Sequence, residues 1–576
     1  MPACLHGKGI PMNLTHMNPN DKFEPRSTGN WIYNPATGER VAEVLEHEPA
    51  VVPLMVQQSR MAQAEWVTVP YREKRLCAQR ASRWIEEHAD TLALSIARCT
   101  GKTRTEALAT EVLPGAIAFR YYSKRVPHVV HPKPLKPSSF LFLNKKSIQH
   151  RLPYGVIGMI TPWNYPFGIP VHEVAAALLS GNGVILKVAT QCQPVGELIR
   201  RMILEAGFPP ALFHLVHLGG SKVGTAFLDG GIDKLFFTGS TETGKILMQE
   251  AGKRLIPVSL ELGGKDAMIV LSDAPLKRAA AGAVWAGVSN CGQSCGGVER
   301  IYVERPVYDT FLSLLRQEVR QIRQGPDSFD VDIGSLTTEE QRKKVIAQVQ
   351  EALSRGARLI ESSPSPFKSP VANPSEPPGK SAETPHLERN QGILAPWASH
   401  HGFPLFYPVQ IIEVDSDAGS LMQEETFGPI LAVSAVDSEE EAICRANDSS
   451  YGLTASVWSL SKDRAARVAS RLQAGVVTIN DHLMSHGMPE TPWGGFKQSG
   501  IGRTHGDLLI EELTQVKVVV WERLPRMKRN IFWQPIDSTV YEGLKGTLSL
   551  MAGKGILHRL QGAKKLFRLL ARKVRF

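Results

Sequence analysis

The feature that most narrows the fold is the stretch from Leu152 to about residue 270. There, short apolar runs alternate with glycine-bearing turns and helical segments. Val184-Ile185-Leu186, Lys234 to Phe237 and Ala267 to Leu271 are short and almost continuously apolar, with glycines close by. Runs of this kind read as strands buried on both faces, which points to a parallel sheet covered by helices. Residues 71–125 carry helical periodicity, with Ala78, Ala81, Ile85 and Leu92 on one face. Regular patterning returns at Phe406-Tyr407-Pro408 and runs to about Trp521. At 576 residues the chain exceeds one hydrophobic core, so two or more domains are expected.

Other segments stand apart from this body. Residues 1–25 read as a loose leader, and Asn34-Pro35-Ala36-Thr37-Gly38-Glu39 is a turn signal that opens the core. Residues 361–400 hold Pro364, Pro366, Pro370, Pro374, Pro377 and Pro378 among serines, and read as an exposed, partly disordered insertion. From Gly543 to Phe576 there are nine Lys or Arg and no Asp or Glu, so the net charge of +10 belongs almost wholly to this stretch of a C-terminal extension, 531–576. Within it, Ile556, Leu560, Ala563, Phe567, Leu570 and Val574 form an apolar helical stripe flanked by Arg559, Lys564, Lys565, Arg568, Arg572 and Arg575.

Cysteine usage bounds the chemistry. Seven cysteines are few and odd in number, which argues against a disulfide framework and for a reducing compartment. Cys291 and Cys295 are not a Cys-x-x-Cys pair, and no histidine cluster with zinc spacing accompanies them, so no metal is expected. The N-terminus lacks the apolar core and cleavage site of a secretory signal, and no run of eighteen apolar residues occurs.

Three segments carry candidate chemistry. Asn290-Cys291-Gly292-Gln293-Ser294-Cys295-Gly296-Gly297 puts a cysteine after a Gly-Gln-Ser turn. A thiolate there attacks a carbonyl carbon, although a lone cysteine among Gly and Ser is more often a packing residue. Glu261 lies between Leu260 and Leu262, where burial would raise its pKa and suit it as a general base; pairing with Lys265 or capping a helix is the plainer alternative. Pro162-Trp163-Asn164-Tyr165-Pro166 reads on its own as a turn. Phe237 to Lys245 follows a strand and opens a helix, with Gly239, Ser240 and Gly244 placed to admit a pyrophosphate or simply to turn the chain.

Together these segments resemble the aldehyde dehydrogenase superfamily over roughly residues 30–525. Further landmarks are Cys99-Thr100-Gly101-Lys102, Glu424-Glu425-Thr426-Phe427-Gly428-Pro429, Tyr451-Gly452-Leu453-Thr454, Pro492 to Lys497 and Ser499 to Arg503. The resemblance implies an α/β fold with a Rossmann-type cofactor domain from 26–135 and 153–261. It also implies an α/β catalytic domain over 262–489 and a β-arm from 136–152 and 490–520 that joins subunits as a homodimer or homotetramer. In that family Cys295 would be the nucleophile, Glu261 the base for water, and Asn164 with the Cys295 backbone N–H the donors to an oxyanion. Thr161, Trp163, Lys187, Gly239, Ser240, Gly244, Leu262, Glu425 and Phe427 would hold NAD or NADP. Tyr165, Ile169, His172, Ser294 and Trp493 would line the substrate tunnel. They include no obvious anchor for a carboxylate, which favours an apolar or long-chain aldehyde, with a semialdehyde as the alternative should an Arg elsewhere supply the anchor.

Glu261 disfavours the CoA-acylating branch, which usually lacks this glutamate. Thr190 stands three residues after Lys187, where many NAD-preferring members carry a glutamate, so NADP is expected to be tolerated. The competing reading from another class is a catalytically silent scaffold. The cationic tail suits an anionic membrane surface, with docking on a partner subunit or disorder as alternatives, and its few aromatics argue against nucleic acid. The expected location is cytoplasmic with a peripheral membrane contact.

Overall fold

The computed structural model describes residues 25–365, 404–527, 529–530 and 533–573. The leader and most of the 361–400 insertion lie outside the described residues, as does Val574 of the C-terminal stripe. The chain divides into two compact units, residues 1–130 with 153–515, and residues 131–152 with 516–576.

The larger unit is built on two parallel sheets. The first has six strands in the order Gly500–Ile501, Val258–Glu261, Lys234–Thr238, Val156–Ile160, Gly183–Lys187 and Phe213–Leu215. All its pairs are parallel except the edge strand Gly500–Ile501, which runs antiparallel to Val258–Glu261. Side chains alternate between two cores, as the two-residue strand period demands. Ile157, Met159, Val184, Leu186 and Phe236 pack on one face, and Val156, Ile160, Ile185, Leu235 and Phe237 on the other. Both faces are covered by helices, which explains why these strands read as unbroken apolar runs.

The second sheet has seven strands in the order Arg358–Ser362, Gln410–Glu413, Ile430–Val436, Val298–Glu304, Asp266–Val270, Thr454–Trp458 and Val476–Ile479. Only the Arg358–Ser362 edge pairs antiparallel. Its faces alternate in the same way, with Ala267, Ile269, Tyr302 and Ala432 in one core and Met268, Val270, Ile301 and Val433 in the other.

The smaller unit holds a three-stranded sheet ordered Thr514–Glu522, Lys145–Pro153 and Lys133–Leu135. Of residues 490–520, 490–515 lie in the larger unit, where Gly500–Ile501 extends the first sheet, and 516–520 lie in the smaller. The smaller unit also holds two helices, Ser538–Ala552 and Ile556–Lys573. The first falls in 531–555, a stretch with no clear apolar period; its Gly543 and Gly546 face the second helix and break the pattern. No helix of the described residues is long and apolar enough to cross a membrane.

Candidate functional site

In open α/β sheets, ligands collect at the carboxyl ends of the strands. Here Val156–Ile160, Gly183–Lys187, Lys234–Thr238 and Val258–Glu261 end together and deliver Thr161, Lys187, Gly239 and Glu261 to one edge. A cavity of about 230 Å³ opens there, lined by Trp163, Asn164, Gly239, Ser240, Glu261, Leu262, Cys295, Glu425 and Phe427 among others. Nine sequence-predicted residues thus share one pocket. Pro162, Thr238, Gly263, Gln341 and Lys344 complete the lining, and the sequence reading missed them.

The cysteine is carried on a strained loop. Asn290, Cys291 and Gly292 have φ of 55°, 54° and 72°, three successive left-handed residues. For side chains other than glycine this costs roughly 1–3 kcal/mol each, so surrounding contacts must impose it. They do so through the Asn290 amide, whose Nδ2 donates to the carbonyls of Asn164 at 2.9 Å and Gln293 at 3.1 Å. The Asn290 backbone N–H donates to the buried carboxylate of Glu106 at 2.8 Å, and the Thr337 N–H to Gln293 Oε1 at 2.8 Å. Asn164 Nδ2 donates to the Gln293 carbonyl at 3.1 Å, two residues before Cys295. Its Oδ1 has no hydrogen-bond partner among the described residues.

Asn164 is itself held by a buried ion pair. Lys102 Nζ donates to Glu111 Oε1 and to the Asn164 carbonyl, both at 2.7 Å, and sits 4.2 Å from the Tyr165 ring centre. Glu111 Oε2 accepts from the N–H groups of Phe167 at 2.8 Å and Gly168 at 3.1 Å. Both side chains are fully buried, so the pair grips the backbone at the Asn164 carbonyl and again at Phe167–Gly168. Lys102 belongs to the Cys99 to Lys102 landmark, but its contact with the site was invisible in the sequence.

On the opposite wall, Glu299 fixes the turn that carries Glu425 and Phe427. Its carboxylate accepts from the N–H groups of Thr426 and Phe427, both at 2.8 Å, and pairs with Lys265 at 2.6 Å. Lys265 therefore serves this turn, and no hydrogen bond or ion pair joins it to Glu261 among the described residues. Phe427 adopts φ of 56°, and its ring meets Trp163 edge-on at 5.5 Å. Glu425 Oε1 accepts from the Gly264 N–H at 3.1 Å. Burial, reinforced by Glu299, pushes its carboxyl up to about 7.

Burial sets the protonation of Cys295 and Glu261. It pushes the Cys295 thiol upward, helped by Glu425, Asp266 and Glu261. The partly ionised thiol expected from a free cysteine is thus replaced by a protonated one in the ligand-free protein. Burial also lifts Glu261 well above the carboxylate range, with Glu173 adding repulsion and Arg503 opposing it. Glu261 Oε2 is buried without a partner among the described residues.

A second cavity of about 20 Å³, room for about one water, lies behind this pair. Ile169, Glu173, Glu261, Cys295, His486, Trp493, Thr504 and His505 line it. Ile169 and Trp493 are where the tunnel was expected, whereas Tyr165, His172 and Ser294 sit behind the lining. Tyr165 stacks on His486 at 6.3 Å and His172 lies 4.3 Å from His505. Ser294 is buried and hydrogen-bonds Tyr165. Burial lowers His172 to about 3 and His486 to about 4, so this wall is uncharged at neutral pH.

The remaining expected cofactor residues lie outside the larger cavity. Thr161 donates its backbone N–H to the Lys187 carbonyl at 3.0 Å. Lys187 is buried at its strand end, and burial lowers its pKa. Gly244 packs on Leu262, where an added Cβ would come within 2.6 Å of a methyl group. Gly244 brings its helix close to the sheet and leaves the lining to Gly239 and Ser240; Ser240 caps the helix Thr241–Gly252. The absence of side chains at Gly239 and Gly263, beside the N-terminus of this helix, leaves a cradle that fits a dinucleotide.

Comparison with known proteins agrees with this geometry. The profile of the Aldehyde dehydrogenase family matches residues 24–371 and 399–519. The chain is 36% identical over 538 residues to a protein of Methylomonas sp named 4,4'-diapolycopene aldehyde oxidase, covering 91% of this chain and 93% of the relative. It is 35% identical over 470 residues to a protein of Mycolicibacterium smegmatis provisionally named succinate-semialdehyde dehydrogenase [NADP(+)], covering 81% and 84%. The crystal structure of an NAD-dependent aldehyde dehydrogenase from Sinorhizobium meliloti superposes with a TM-score of 0.75 at 27% identity, covering 86% of this chain and 91% of that one. The chain belongs to the aldehyde dehydrogenase family.

Proposed function

We propose that the protein oxidises an apolar aldehyde to its carboxylic acid, with NAD or NADP as hydride acceptor. The observation that carries the reading is the single cavity shared by Cys295, Glu261, Asn164, the Gly239–Ser240 turn and the Glu425–Phe427 turn. The dinucleotide would rest on Gly239, Ser240, Leu262 and Trp163, with Lys187 and Glu425 toward its ribose hydroxyls and Phe427 beside its ring. Bound there, the nicotinamide supplies the hydride acceptor.

The Cys295 Sγ proton passes to solvent water as the sulfur adds to the aldehyde carbon, giving a thiohemiacetal oxyanion. Asn164 Nδ2 and the Cys295 backbone N–H donate to that oxygen. Loss of hydride from the carbon leaves a thioester on Cys295. Glu261 then takes a proton from water, the water oxygen adds to the thioester carbon, and the carbon–sulfur bond breaks to release the acid.

The uncharged histidine wall favours an apolar substrate over a semialdehyde, in keeping with the name of the Methylomonas relative. Thr190, in place of a carboxylate, leaves room for the 2′-phosphate of NADP, and the relatives' names include both cofactors. The test is a panel of aldehydes of graded length with each cofactor, read by the absorbance of reduced cofactor. Turnover should rise with apolar length and vanish in Cys295→Ala. Undiminished turnover in that variant overturns the reading.

We read the setting as cytoplasmic and homo-oligomeric, a homodimer or homotetramer, held peripherally at a membrane by the C-terminal extension. Oligomerisation is supported by the strand Thr514–Glu522, whose Val516, Val518, Val520 and Trp521 are exposed in the single chain. Sedimentation of the purified chain tests the assembly, and a monomer overturns it.

A further inference from the structure

The two C-terminal helices form a tight antiparallel hairpin. A Cβ on Gly546 would lie 2.6 Å from the Gly562 carbonyl oxygen, and one on Gly562 would lie 2.4 Å from that of Gly546. The helix backbones therefore touch, and Val540, Gly543, Leu566 and Leu569 fill what space remains. Asp537 caps the first helix by accepting from the N–H groups of Thr539 and Val540. Lys565 bridges to Glu542 at 2.6 Å.

This packing uses the wrong face of the second helix for a stripe meant to hold the hairpin together. Gly562, Leu566 and Leu569 meet the partner helix, whereas Ile556, Leu560 and Phe567 of the sequence-predicted stripe point away. Ile556 and Leu557 are 78% exposed and Phe567 is 73% exposed. The first helix adds exposed Tyr541, Leu548 and Met551. A helix with one apolar face already covered and a second left open needs a second apolar environment.

Charge selects which environment. Glu542 is the only acidic residue of Ser538–Lys573 and is already paired, while Lys545, Lys554, Arg559, Lys564 and Arg568 add uncompensated positive charge. A second copy of the hairpin would set these cations against one another. An anionic lipid headgroup layer over an acyl interior satisfies both the cations and the apolar groups.

We propose that this hairpin docks as a preformed unit on an anionic lipid monolayer. Ile556, Leu557, Leu560 and Phe567 enter the acyl boundary, and Lys545, Lys564 and Arg568 lie at headgroup level. The proposal rests on the peripheral membrane setting given above and is independent of the catalytic reading. Neither helix spans the bilayer; both lie in its interface.

The test is co-sedimentation of the full-length chain with vesicles of phosphatidylcholine alone or containing phosphatidylglycerol. Binding should appear only with phosphatidylglycerol and weaken as salt rises. Lys545→Glu/Lys564→Glu/Arg568→Glu should reduce the partition coefficient on the order of a hundredfold or more. Leu560→Ser/Phe567→Ser should reduce it at least about tenfold, without changing oligomer size or turnover of a soluble aldehyde. Equal binding to neutral vesicles refutes the anionic recognition. No vesicle binding by the parent chain, or a changed oligomer size in the apolar variant, assigns the face to a subunit contact and overturns the proposal.

Discussion

Glu173 and Glu261 face one water-sized cavity, and the charge of Glu173 helps hold the Glu261 carboxyl above its ordinary ionisation range. Burial is the larger cause for Glu261 and the cause for Glu173, which is pushed up to about 8. Two carboxyls sharing a desolvated space resist ionising together.

Replacing Glu173 with Gln removes that repulsion. The Glu261 pKa should fall, so the acid limb of the deacylation pH profile should move toward lower pH. Single-turnover thioester hydrolysis across pH measures it; an unmoved limb refutes the coupling.

The same substitution changes the pH dependence of stability. The folded-state pKa of Glu173 is raised from 4.5 to about 8, so the native protein holds a proton that the unfolded chain releases. Its contribution is fully present below 4.5 and is lost as pH rises toward 8. Relative to the parent, Glu173→Gln should therefore gain thermal stability between pH 5 and 8. A constant difference in Tm across that window contradicts this.

Asn164→Ala removes one oxyanion donor and one of the contacts on the Gln293 carbonyl. If Asn164 acts as proposed, the expected loss in kcat is about 10²–10³, with little change in cofactor binding. Pre-steady-state hydride transfer is the direct readout, and a loss confined to cofactor affinity would place Asn164 elsewhere in the reaction.

Lys102→Met strands the Glu111 carboxylate in a fully buried position. Breaking such a pair from one side should cost about 3–5 kcal/mol, and Lys102→Met/Glu111→Gln should recover part of it. Chemical unfolding of both variants decides the matter, and a single variant as stable as the parent refutes it.

The parallel architecture was legible because strands buried on both faces leave unbroken apolar runs, as in Val184-Ile185-Leu186. Cys295, Glu261 and Asn164 could be found because each stands in a short motif of distinctive composition. Lys344 and Gln341 could not, since the helix Glu339–Ser354 carries six charged residues, five of them in its first six positions, and its start looks solvated. Glu173 left a signal that went unused: it is the only ionised-type carboxyl in the fully buried helix Gly168–Leu179. The place of Gly500–Ile501 in the first sheet was not legible, because an edge strand of two residues leaves no period to read. The C-terminal apolar stripe was recognised, but which face a partner helix would take depends on Gly543, Gly546 and Gly562, whose role is visible only in three dimensions.

The left-handed run at Asn290–Gly292 has a wider effect than its local strain. A Cβ on Gly292 would fall 2.2 Å from the carbonyl of Gly428, so the sulfur-bearing loop and the Glu425–Phe427 turn abut main chain to main chain. Neither can be redesigned alone: on the proposed reading, an engineer who reshapes the seat of the nicotinamide also re-aims the nucleophile, and swapping cofactor preference at this wall carries a change in reaction rate with it.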